Sequence, residues 1–264
     1  MRFGIISAME EENHLLLNHL KSPTVYEKGL RTYTRGMLWG IDTVLACSRW
    51  GKVAAAVTAA QLIIDFEVDH IIFTGVAGAV DPFLRIGDIV LANNLVQHDL
   101  DPRPLFDRFE VPFLGEKSFH PNPTLYNHTK EATLSFLEDF GECISATIRR
   151  EFQITEPRLV EGLVASGDQF FADKEKLIAL RERLPETKCV EMEGAAVAQV
   201  CYEYAIPYTI IRTISDEAGA GAHIDFQRFI RKVASLYAEG ILKNLFDRLA
   251  KKRSPSRARQ STSL

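Results

Sequence analysis

The stretch Val190-Glu-Met-Glu-Gly-Ala-Ala196 joins a strand-like run, residues 187–190, to a helix-like run that begins at Gly194. A second apolar strand, residues 208–214, follows and ends at Ser215-Asp216. Acidic residues therefore stand at the carboxyl ends of two consecutive strands, which is where an open α/β sheet binds its ligands. This arrangement predicts an enzyme that acts on a small molecule.

Strand and helix patterns alternate along the rest of the chain, which predicts one three-layer α/β domain. Short apolar runs predict the strands, and apolar residues at helical spacing predict the helices. The remaining predicted strands are residues 3–7, 31–38, 43–48, 70–74, 88–96 and 159–166. The predicted helices are residues 10–20, 51–66, 121–140, 174–183, 194–204 and 225–252.

Two connecting segments carry further signals. Gly75-Val-Ala-Gly78 follows a buried strand and predicts a tight turn that a ligand can approach closely. The G-x-G-x-x-G pattern of a dinucleotide site is absent, which disfavours a dehydrogenase. The loop from Gln97 to His120 is long and irregular, and such loops often cover a site or form an interface.

Charge is spread unevenly along the chain. The net charge is −4, but six basic residues and no acidic residue follow Asp247, so residues 1–247 carry a net charge of −10. An acidic body argues against nucleic acid as the main ligand. Residues 251–264 are rich in Ser and Arg and lack an apolar pattern, which predicts a disordered basic tail after a single domain of residues 1–250. An arm for nucleic acid or an anionic surface is the less favoured interpretation of this tail.

Cysteine spacing and hydropathy predict a cytoplasmic protein without a cofactor. The four cysteines show neither C-x-x-C nor zinc spacing and lie in apolar or mixed runs, which predicts buried, reduced thiols. The first apolar run is too short for a signal peptide, and no segment reaches the apolar length that spans a membrane. The pattern implies no metal and no organic cofactor, and the expected partner is a small-molecule substrate.

Three carboxylates are candidates for the chemistry. Glu193 has apolar neighbours, so its carboxylate needs a ligand or a partner, and a buried ion pair with Arg212 would satisfy it without any catalytic role. Glu12 stands in the first helical turn after the first strand, where it either acts in catalysis or only favours the helix dipole. Asp216 follows a long apolar strand, where it acts in catalysis, caps a helix, or does both.

A series of short motifs occurs in a specific order over residues 1–247. The motifs are Gly4-Ile-Ile-Ser-Ala-Met-Glu-Glu-Glu12, Gly51-Lys-Val-Ala-Ala55, Thr74-Gly-Val-Ala-Gly78, Gly87-Asp-Ile-Val90, Ser166-Gly-Asp168, Val190-Glu-Met-Glu193 and Arg212-Thr-Ile-Ser-Asp216. In this order and spacing the chain resembles the 5′-methylthioadenosine/S-adenosylhomocysteine nucleosidases of the purine nucleoside phosphorylase-like superfamily. The resemblance implies a three-layer αβα fold around a mixed, twisted central sheet, and a homodimer.

The resemblance also implies roles for the three carboxylates. Glu12 would activate the attacking water, Glu193 would bind the ribose 2′ and 3′ hydroxyls, and Asp216 would protonate adenine N7. Cleavage of an N-glycosidic bond builds positive charge on the sugar and negative charge on the base, so each of these roles asks for a carboxyl group. Asp216 has to be protonated to act as an acid, and we expect apolar surroundings to raise its pKa.

Further residues would bind the nucleoside around these carboxylates. The resemblance places aromatic rings at the base, a backbone segment beside the ribose, and apolar side chains around the 5′ substituent. The candidates are Met9, Trp50, Phe170, Phe171, Met192, Arg212, Ser215 and Phe226, together with Pro102 from a loop that would close the partner subunit's pocket.

Departures from the family pattern bear on the nucleophile and the substrate. Phosphorylases of the superfamily bind phosphate with Arg and Ser near the glycine motif, and the corresponding residues here are Phe73 and Val76, which favours water. Arg49 and Trp50 replace a small-residue turn and leave methylthio, homocysteinyl, 5′-deoxy and aminofutalosine-type 5′ groups open. Two further functions stay open at this point: a phosphate-dependent phosphorylase, and a protein that binds or senses adenine nucleosides without cleaving them.

Overall fold

The computed structural model describes residues 1–217 and 222–253, in which strands and helices alternate. The strands are β1 (Arg2–Ser7), β2 (Leu20–Lys28), β3 (Arg31–Leu38), β4 (Ile41–Cys47), β5 (His70–Ala79), β6 (Ile89–Gln97), β7 (Leu159–Ser166), β8 (Thr187–Glu191) and β9 (Tyr208–Asp216). The helices are α1 (His14–His19), α2 (Lys52–Phe66), α3 (Pro123–Glu138), α4 (Phe140–Cys143), α5 (Ala146–Glu151), α6 (Lys174–Arg183), α7 (Gly194–Glu203), α8 (Ala222–Phe229) and α9 (Ser235–Arg253). A 3-10 turn covers Glu10–Glu12, and a π-helical turn covers Ile230–Ala234.

The strands form one mixed sheet in the order β2-β3-β4-β1-β5-β8-β7-β6-β9. Strand β9 also pairs with β5, so the last five strands of this order close into a ring. Strands β4, β1, β5 and β9 run parallel to one another, whereas β8 and β6 join β5 and β9 through antiparallel pairs. The predicted mixed central sheet is confirmed, and its closure through β5 and β9 adds a feature that the sequence pattern does not contain.

Helices cover both faces of this sheet and give the predicted three layers. Helices α3 and α9 pack together on one face, and α2 and α7 pack together on the other. Phe136 and Phe246 belong to the first core, and Leu62 and Cys201 belong to the second, all of them fully buried. Burial of these apolar side chains is the main favourable contribution to the free energy of folding.

Strand β2, Leu20–Lys28, is absent from the prediction, which continued a helix as far as Leu20. Most of the strand is exposed, and it lies at the edge of the sheet beside β3. A register shift between Lys21 and Thr24 accommodates Ser22 and Pro23. An edge strand with a bulge tolerates proline and needs no alternating apolar pattern, so its sequence does not reveal it.

The tight turn predicted at Gly75–Gly78 is wrong, because β5 continues as a strand through Ala79. Strand β9 pairs with β5 from Ile71 to Gly78, and β8 pairs with it at Gly78 and Ala79. Hydrogen bonds from both neighbours therefore hold the glycine motif in the sheet. The irregularity that does occur is a register shift between Ala77 and Gly78.

The C-terminal helix predicted at residues 225–252 is longer and is interrupted. It begins as α8, passes through the π-helical turn Ile230–Ala234 and continues as α9 to Arg253. Lys251 therefore belongs to α9 rather than to the predicted tail, and residues 254–264 of that tail lie outside the described residues. Within residues 1–217 and 222–253, every helix falls short of the length and apolar character that crossing a membrane requires.

The expectation of four buried thiols is met by only half of the cysteines. Cys189 and Cys201 are buried, Cys47 is partly buried and Cys143 is exposed, and all four are free. Cys143 ends the short helix α4, of which the predicted helix of residues 121–140 includes only Phe140. Its mixed sequence environment did not indicate which side of this helix faces solvent.

Candidate active site

A cavity opens at the carboxyl ends of β1, β5, β8 and β9, where the sequence predicts the chemistry. The cavity is open to solvent, and its volume, including the space at its opening, is about 610 Å³. Glu12, Glu193 and Asp216 all line it and are buried, with exposed fractions of 2%, 6% and 3%. The other predicted residues that line the cavity are Met9, Trp50, Phe170, Phe171, Met192, Arg212 and Phe226.

Glu12 is held at the cavity by three backbone N–H groups. The 3-10 turn after β1 brings its carboxylate back over the strand end, where Oε2 accepts hydrogen bonds from Ala8 N at 2.7 Å and Met9 N at 2.9 Å. Oε1 accepts a third from Val76 N at 3.2 Å. Burial raises the pKa of Glu12 to about 7, although these hydrogen bonds oppose the shift. A carboxylate with this pKa suits general base catalysis near neutral pH.

Gly75 makes room for Glu12 on strand β5. A Cβ atom at this position would lie 2.8 Å from Glu12 Oε1 and 3.5 Å from Arg212 Nη1. A side chain would therefore push the Glu12 carboxylate away from the Val76 N–H group. The close approach of the Glu12 carboxylate, rather than a turn, explains glycine at this position.

Glu193 is the N-terminal capping residue of α7, and its carboxylate reaches across the cavity to the start of α2. Its Oε1 accepts a hydrogen bond from Gly51 N at 2.8 Å. Gly51 has a φ of 95°, which favours glycine. Burial is the main cause that raises the pKa of Glu193, and the negative charges of Glu191 and Glu12 raise it further. The carboxyl group of Glu193 therefore holds its proton more tightly than an exposed glutamate does.

The ion pair that we considered between Glu193 and Arg212 is wrong, because Arg212 pairs with Glu191. Arg212 Nη2 and Nε donate to Glu191 Oε2 at 2.7 Å and 3.1 Å, and both side chains are almost fully buried. Ser166 Oγ and the Gly194 N–H also donate to the Glu191 carboxylate. These contacts make Glu191 a structural partner of Arg212, since its oxygens are already engaged.

Arg212 lines the cavity, but its guanidinium group is engaged by the protein. Besides Glu191, it donates to the carbonyl oxygens of Phe73 at 3.3 Å and Ile211 at 3.0 Å. The guanidinium carbon lies 4.0 Å from the centre of the Phe73 ring, within the range of a cation–π contact. The structure therefore gives Arg212 the role of balancing the charge of the buried carboxylates, and its predicted contact with substrate stays a prediction.

Asp216 ends β9, and Ser215 beside it contacts its carboxyl group. Ser215 Oγ lies 2.8 Å from Asp216 Oδ2 and 3.4 Å from the carbonyl oxygen of Ala77. Ser215 is fully buried and does not line the cavity, because alternate residues of a strand point to opposite faces. The structure places Ser215 behind Asp216 instead of in contact with a bound ligand.

Aromatic rings form the outer wall of the cavity. The rings of Trp50 and Phe226 pack edge to face with 5.9 Å between their centres. Those of Phe170 and Phe226 pack in the same way with 5.5 Å between their centres. Phe171 packs against His98 behind this wall. Trp50 and Phe170 are both partly exposed, so this aromatic wall borders the opening of the cavity. Such a surface suits an apolar group of a ligand.

Pro102 does not line the cavity of its own chain. It lies in the irregular loop between β6 and α3, in which Arg103 and Arg108 donate to Asp101. Leu105 of this loop is 84% exposed. The predicted contact of Pro102 with a substrate therefore requires a second subunit.

Some contributors to the site are absent from the prediction. The N–H groups of Ala8, Met9 and Gly51 that bind the carboxylates belong to the backbone, and their orientation depends on the fold. Gln169 also lines the cavity next to the predicted Phe170. The position of Gln169 directly before the two aromatic residues was the signal that could have identified it. In the part of the chain that the structure describes, no group of three or more His, Cys, Asp or Glu side chains is arranged to hold a metal ion.

Known proteins resemble this chain in sequence over most of its length. The family model described as the phosphorylase superfamily matches residues 2–246. A 5′-methylthioadenosine/S-adenosylhomocysteine nucleosidase of Chromohalobacter salexigens is 34% identical over 248 residues, which cover 92% of this chain and 97% of that protein.

Solved structures resemble the chain in fold as well. One is the 5′-methylthioadenosine/S-adenosylhomocysteine nucleosidase of Neisseria meningitidis in complex with methylthio-immucillin-A. It superimposes with a TM-score of 0.82 at 31% sequence identity, and the match covers 94% of this chain and 99% of that one. A futalosine hydrolase of Helicobacter pylori has a TM-score of 0.79 at 30% identity, with 94% of this chain and 98% of its own covered.

Proposed function

The chain belongs to the phosphorylase superfamily and, within it, to the 5′-methylthioadenosine/S-adenosylhomocysteine nucleosidases, and we propose that Glu12, Glu193 and Asp216 carry out its reaction. It is a purine nucleosidase that hydrolyses the N-glycosidic bond of adenine nucleosides with a 5′ substituent and releases adenine and the ribose derivative. The observation that carries the proposed roles is the convergence of three buried carboxyl groups on one cavity.

Glu12 activates the attacking water in this proposal. A carboxylate with a pKa of about 7 is partly ionised at neutral pH and is a stronger base than an exposed glutamate. The N–H groups of Ala8, Met9 and Val76 fix its orientation, so that it accepts the proton of water without first having to reorganise. Its burial against β5 keeps bulk water from competing for the carboxylate.

Glu193 binds the two ribose hydroxyls and stabilises the positive charge that develops on the sugar. Its carboxylate is fixed by the Gly51 N–H group at 2.8 Å and stands at the N-terminus of α7. Burial disfavours the ionised form of Glu193. A developing cation beside it compensates for that burial, so the interaction is stronger in the transition state than in the ground state.

Asp216 donates a proton to adenine N7, which lets the base leave as a neutral molecule. Ser215 contacts one carboxyl oxygen and limits its rotation. A protonated carboxyl group can donate to N7 through one oxygen and accept from the 6-amino group of adenine through the other. A 6-oxopurine lacks that amino donor, so this arrangement favours adenine. The raised pKa expected for Asp216 stays a prediction.

Water is favoured over phosphate as the nucleophile. Among the described residues that line the cavity, Arg212 is the one cationic side chain, and it is already paired with Glu191. Phe73 and Val76 stand where phosphorylases bind the anion, and neither side chain can donate a hydrogen bond. A phosphate ion would also lie beside Glu12 and Glu193 and be repelled when either is ionised.

The aromatic wall favours a short, apolar 5′ substituent such as methylthio. Trp50, Phe170 and Phe226 present rings to the opening, and none of them can pair with the charged end of a homocysteinyl group. An aminofutalosine-type substrate is the second candidate, since the Helicobacter pylori futalosine hydrolase is 30% identical to this chain and shares its fold.

We further propose that residues 1–250 form a single nucleosidase domain that works as a homodimer in the cytoplasm. The loop between β6 and α3 exposes Leu105 and Phe113 to 84% and 95%, and α2 exposes Val53 to 76%. Exposed apolar side chains of this size are typical of surfaces that bind another protein. A second subunit would cover the loop and bring Pro102 to its partner's cavity. Light scattering would then give twice the chain mass of 29.7 kDa.

The proposed function is tested by release of adenine from a panel of nucleosides, followed by chromatography. The panel contains 5′-methylthioadenosine, S-adenosylhomocysteine, 5′-deoxyadenosine, aminofutalosine, adenosine and inosine. We expect free adenine, with the highest kcat/KM for methylthioadenosine and no hypoxanthine from inosine. Tight binding of these nucleosides without turnover would contradict the reaction and favour a sensor, and aminofutalosine as the best substrate would favour the second candidate.

A further inference from the structure

A ring of hydrogen bonds joins three chain segments beside the cavity. The Lys52 N–H donates to Asp168 Oδ1 at 2.8 Å, and the Asp168 N–H donates to Asp99 Oδ2 at 2.9 Å. The ring closes where Lys52 Nζ donates to Asp99 Oδ1 at 2.7 Å. We call this set of three residues the clasp. None of its side chains lines the cavity, and the reaction described above does not use them.

Two of the joined segments carry walls of the cavity. Lys52 begins α2 directly after Gly51, whose N–H group binds Glu193, and Trp50 precedes both. Asp168 stands directly before the cavity-lining residues Gln169, Phe170 and Phe171. The clasp therefore ties the segment that fixes Glu193 and carries Trp50 to the segment that carries Phe170 of the aromatic wall.

Asp99 connects both segments to the end of β6. Burial by itself would raise the pKa of Asp99, but hydrogen bonds from Lys52 and the Asp168 N–H lower it on balance, so Asp99 is ionised. The side chains of Lys52 and Asp99 are only 18% and 17% exposed, and Gln97 also accepts from Lys52 Nζ at 3.1 Å. An isolated surface ion pair contributes little to stability, whereas this carboxylate joins a side chain and a backbone group within one network.

Gly51 shows that the clasp and the Glu193 contact depend on the same local geometry. With a φ of 95°, it adopts a conformation that side chains rarely allow. A Cβ atom at Gly51 would lie 3.0 Å from Asp168 Oδ1. The carboxylate of Asp168 therefore packs directly over the turn whose N–H group points to Glu193.

We propose that the clasp positions Glu193 and the aromatic wall for the reaction, which makes Lys52, Asp99 and Asp168 positioning residues. The inference rests on the proposed function, because the role of Glu193 at the ribose hydroxyls belongs to it. Without the clasp, the turn at Gly51 and the segment after Asp168 can move apart. A displacement of about 1 Å at a reacting group can lower the rate about 100-fold.

Asp168→Asn and Asp99→Asn each remove one negative charge from the clasp, but only the second removes a hydrogen-bond acceptor that the clasp needs. Asp168→Asn keeps an oxygen that accepts from the Lys52 N–H, so kcat/KM should stay close to that of the unmodified protein. Asp99→Asn replaces one of two required acceptors with an NH₂ group that faces a donor, and kcat/KM should fall about 10- to 100-fold. Asp168→Ala removes the acceptor and should show the loss that Asp168→Asn avoids.

Asp65 provides a matched control at the other end of α2. Its Oδ2 accepts from Lys28 Nζ at 2.6 Å and from Gln61 Nε2 at 2.7 Å, which resembles the contacts of Asp99. Asp65→Asn therefore removes a comparable ion pair from the same helix, away from the cavity. We expect its kcat/KM and pH profile to match those of the unmodified protein.

The pH profile distinguishes positioning from a general loss of stability. The Gly51 N–H hydrogen bond lowers the pKa of Glu193, so a displaced Gly51 lets this pKa rise further. The part of the rise in kcat/KM that reflects ionisation of Glu193 should therefore move to higher pH in Asp99→Asn and Asp168→Ala, and not in Asp168→Asn or Asp65→Asn. Thermal melts of each variant give the folded fraction by which kcat is corrected.

The proposal is overturned if Asp99→Asn and Asp168→Ala keep the kcat/KM and pH profile of the unmodified protein after this correction. It is also overturned if Asp168→Asn loses as much activity as Asp168→Ala. An unmodified protein that cleaves no nucleoside would refute the proposed function instead. Calorimetry with adenine then tests the clasp: weaker binding in Asp99→Asn alone among the isosteric variants supports it, and equal binding in all of them overturns it.

Discussion

At the scale of single residues, burial changes the acid–base behaviour of two carboxyl groups that line the cavity, those of Glu12 and Glu193. Glu12 is the clearest case, since burial raises its pKa to about 7 while three backbone N–H groups hold it in place. The positive charge of Arg212 limits this rise, and its own pairing with Glu191 keeps it from neutralising Glu12 directly. The result is a carboxyl group whose protonation changes within the physiological pH range, as the proposed general base requires.

The rise of kcat/KM through about pH 7 should follow Glu12. Because its carboxylate has to be ionised to accept a proton from water, kcat/KM should rise with pH through about pH 7. Glu12→Gln should lower kcat about 10²- to 10⁴-fold and remove the rise through about pH 7, which leaves the part of the rise that ionisation of Glu193 causes. Initial rates of adenine release between pH 5 and pH 9, at saturating and at low substrate, measure both effects. A rise through about pH 7 that persists unchanged in Glu12→Gln would assign that ionisation to another group.

Asp216 should contribute far more than Ser215 to the rate of adenine release. Asp216→Asn cannot supply a proton to N7, so single-turnover adenine release should slow about 10²- to 10⁴-fold while the thermal midpoint changes little. Ser215→Ala removes only a contact to the carboxyl group and should cost about tenfold. A fully active Asp216→Asn variant would rule out the proposed acid.

Residue types and motif order brought Glu12, Glu193 and Asp216 into the prediction, and the structure brings all three to one cavity. The partner of Arg212 was predicted wrongly, because Glu191 and Glu193 stand two positions apart with equally apolar neighbours. Which of them faces Arg212 depends on how β8 and β9 both pair with β5 in the closed sheet, a long-range property that local sequence does not contain.

At the scale of secondary structure, the site depends on strands that end at one edge and on a glycine within one of them. Strand β5 was predicted to stop before Gly75, but it continues because β9 and β8 pair with its two edges. Strand β2 was missed because an exposed edge strand carries no alternating pattern. Helices α2, α6 and α7 are rich in residues that favour helices and were predicted to within one residue at each end.

Replacement of Gly75 tests whether β5 has to leave space for Glu12. The added methyl group of Gly75→Ala would lie 2.8 Å from Glu12 Oε1, so the carboxylate has to move and kcat should fall about 100-fold. Gly141→Ala in helix α4 is the control, since its nearest neighbouring atom lies 3.8 Å away. The control should keep full activity and gain up to about 1 kcal/mol of stability. Equal activity of the two variants would contradict the proposed packing of Glu12 over β5.

At the scale of the whole molecule, the three-layer class was predictable because strands and helices alternate along the chain. The closure of five strands through β5 and β9 was not, since ring closure depends on the accumulated twist of the sheet. That closure brings the strand ends of Asp216 and Glu193 to the same cavity as Glu12. The fold therefore has to keep several carboxyl groups buried together.

Stability should decrease as pH rises through the range in which these carboxyl groups ionise. An unfolded chain loses the Glu12 proton near the ordinary pKa of 4.5, whereas the folded chain keeps it up to about pH 7. Between these values the folded state binds more protons, so the free energy of unfolding falls with rising pH, by about 3 kcal/mol for this group. The raised pKa of Glu193 acts in the same direction.

Urea unfolding at pH 5, 6, 7 and 8 measures this effect, and Glu12→Gln serves as the reference because it cannot ionise. As pH rises, the unmodified protein should lose unfolding free energy relative to Glu12→Gln. A difference that is independent of pH would show that the carboxyl group of Glu12 does not keep its proton in the folded state.

The most direct test of water as the nucleophile is the identity of the sugar product in the presence of phosphate. The protein is incubated with 5′-methylthioadenosine in buffers with and without phosphate. Adenine is measured by chromatography, and any sugar phosphate is measured by phosphorus NMR. We predict that adenine appears at the same rate in both buffers and that the sugar carries no phosphate. A rate that requires phosphate, together with a sugar 1-phosphate product, would contradict hydrolysis by Glu12-activated water.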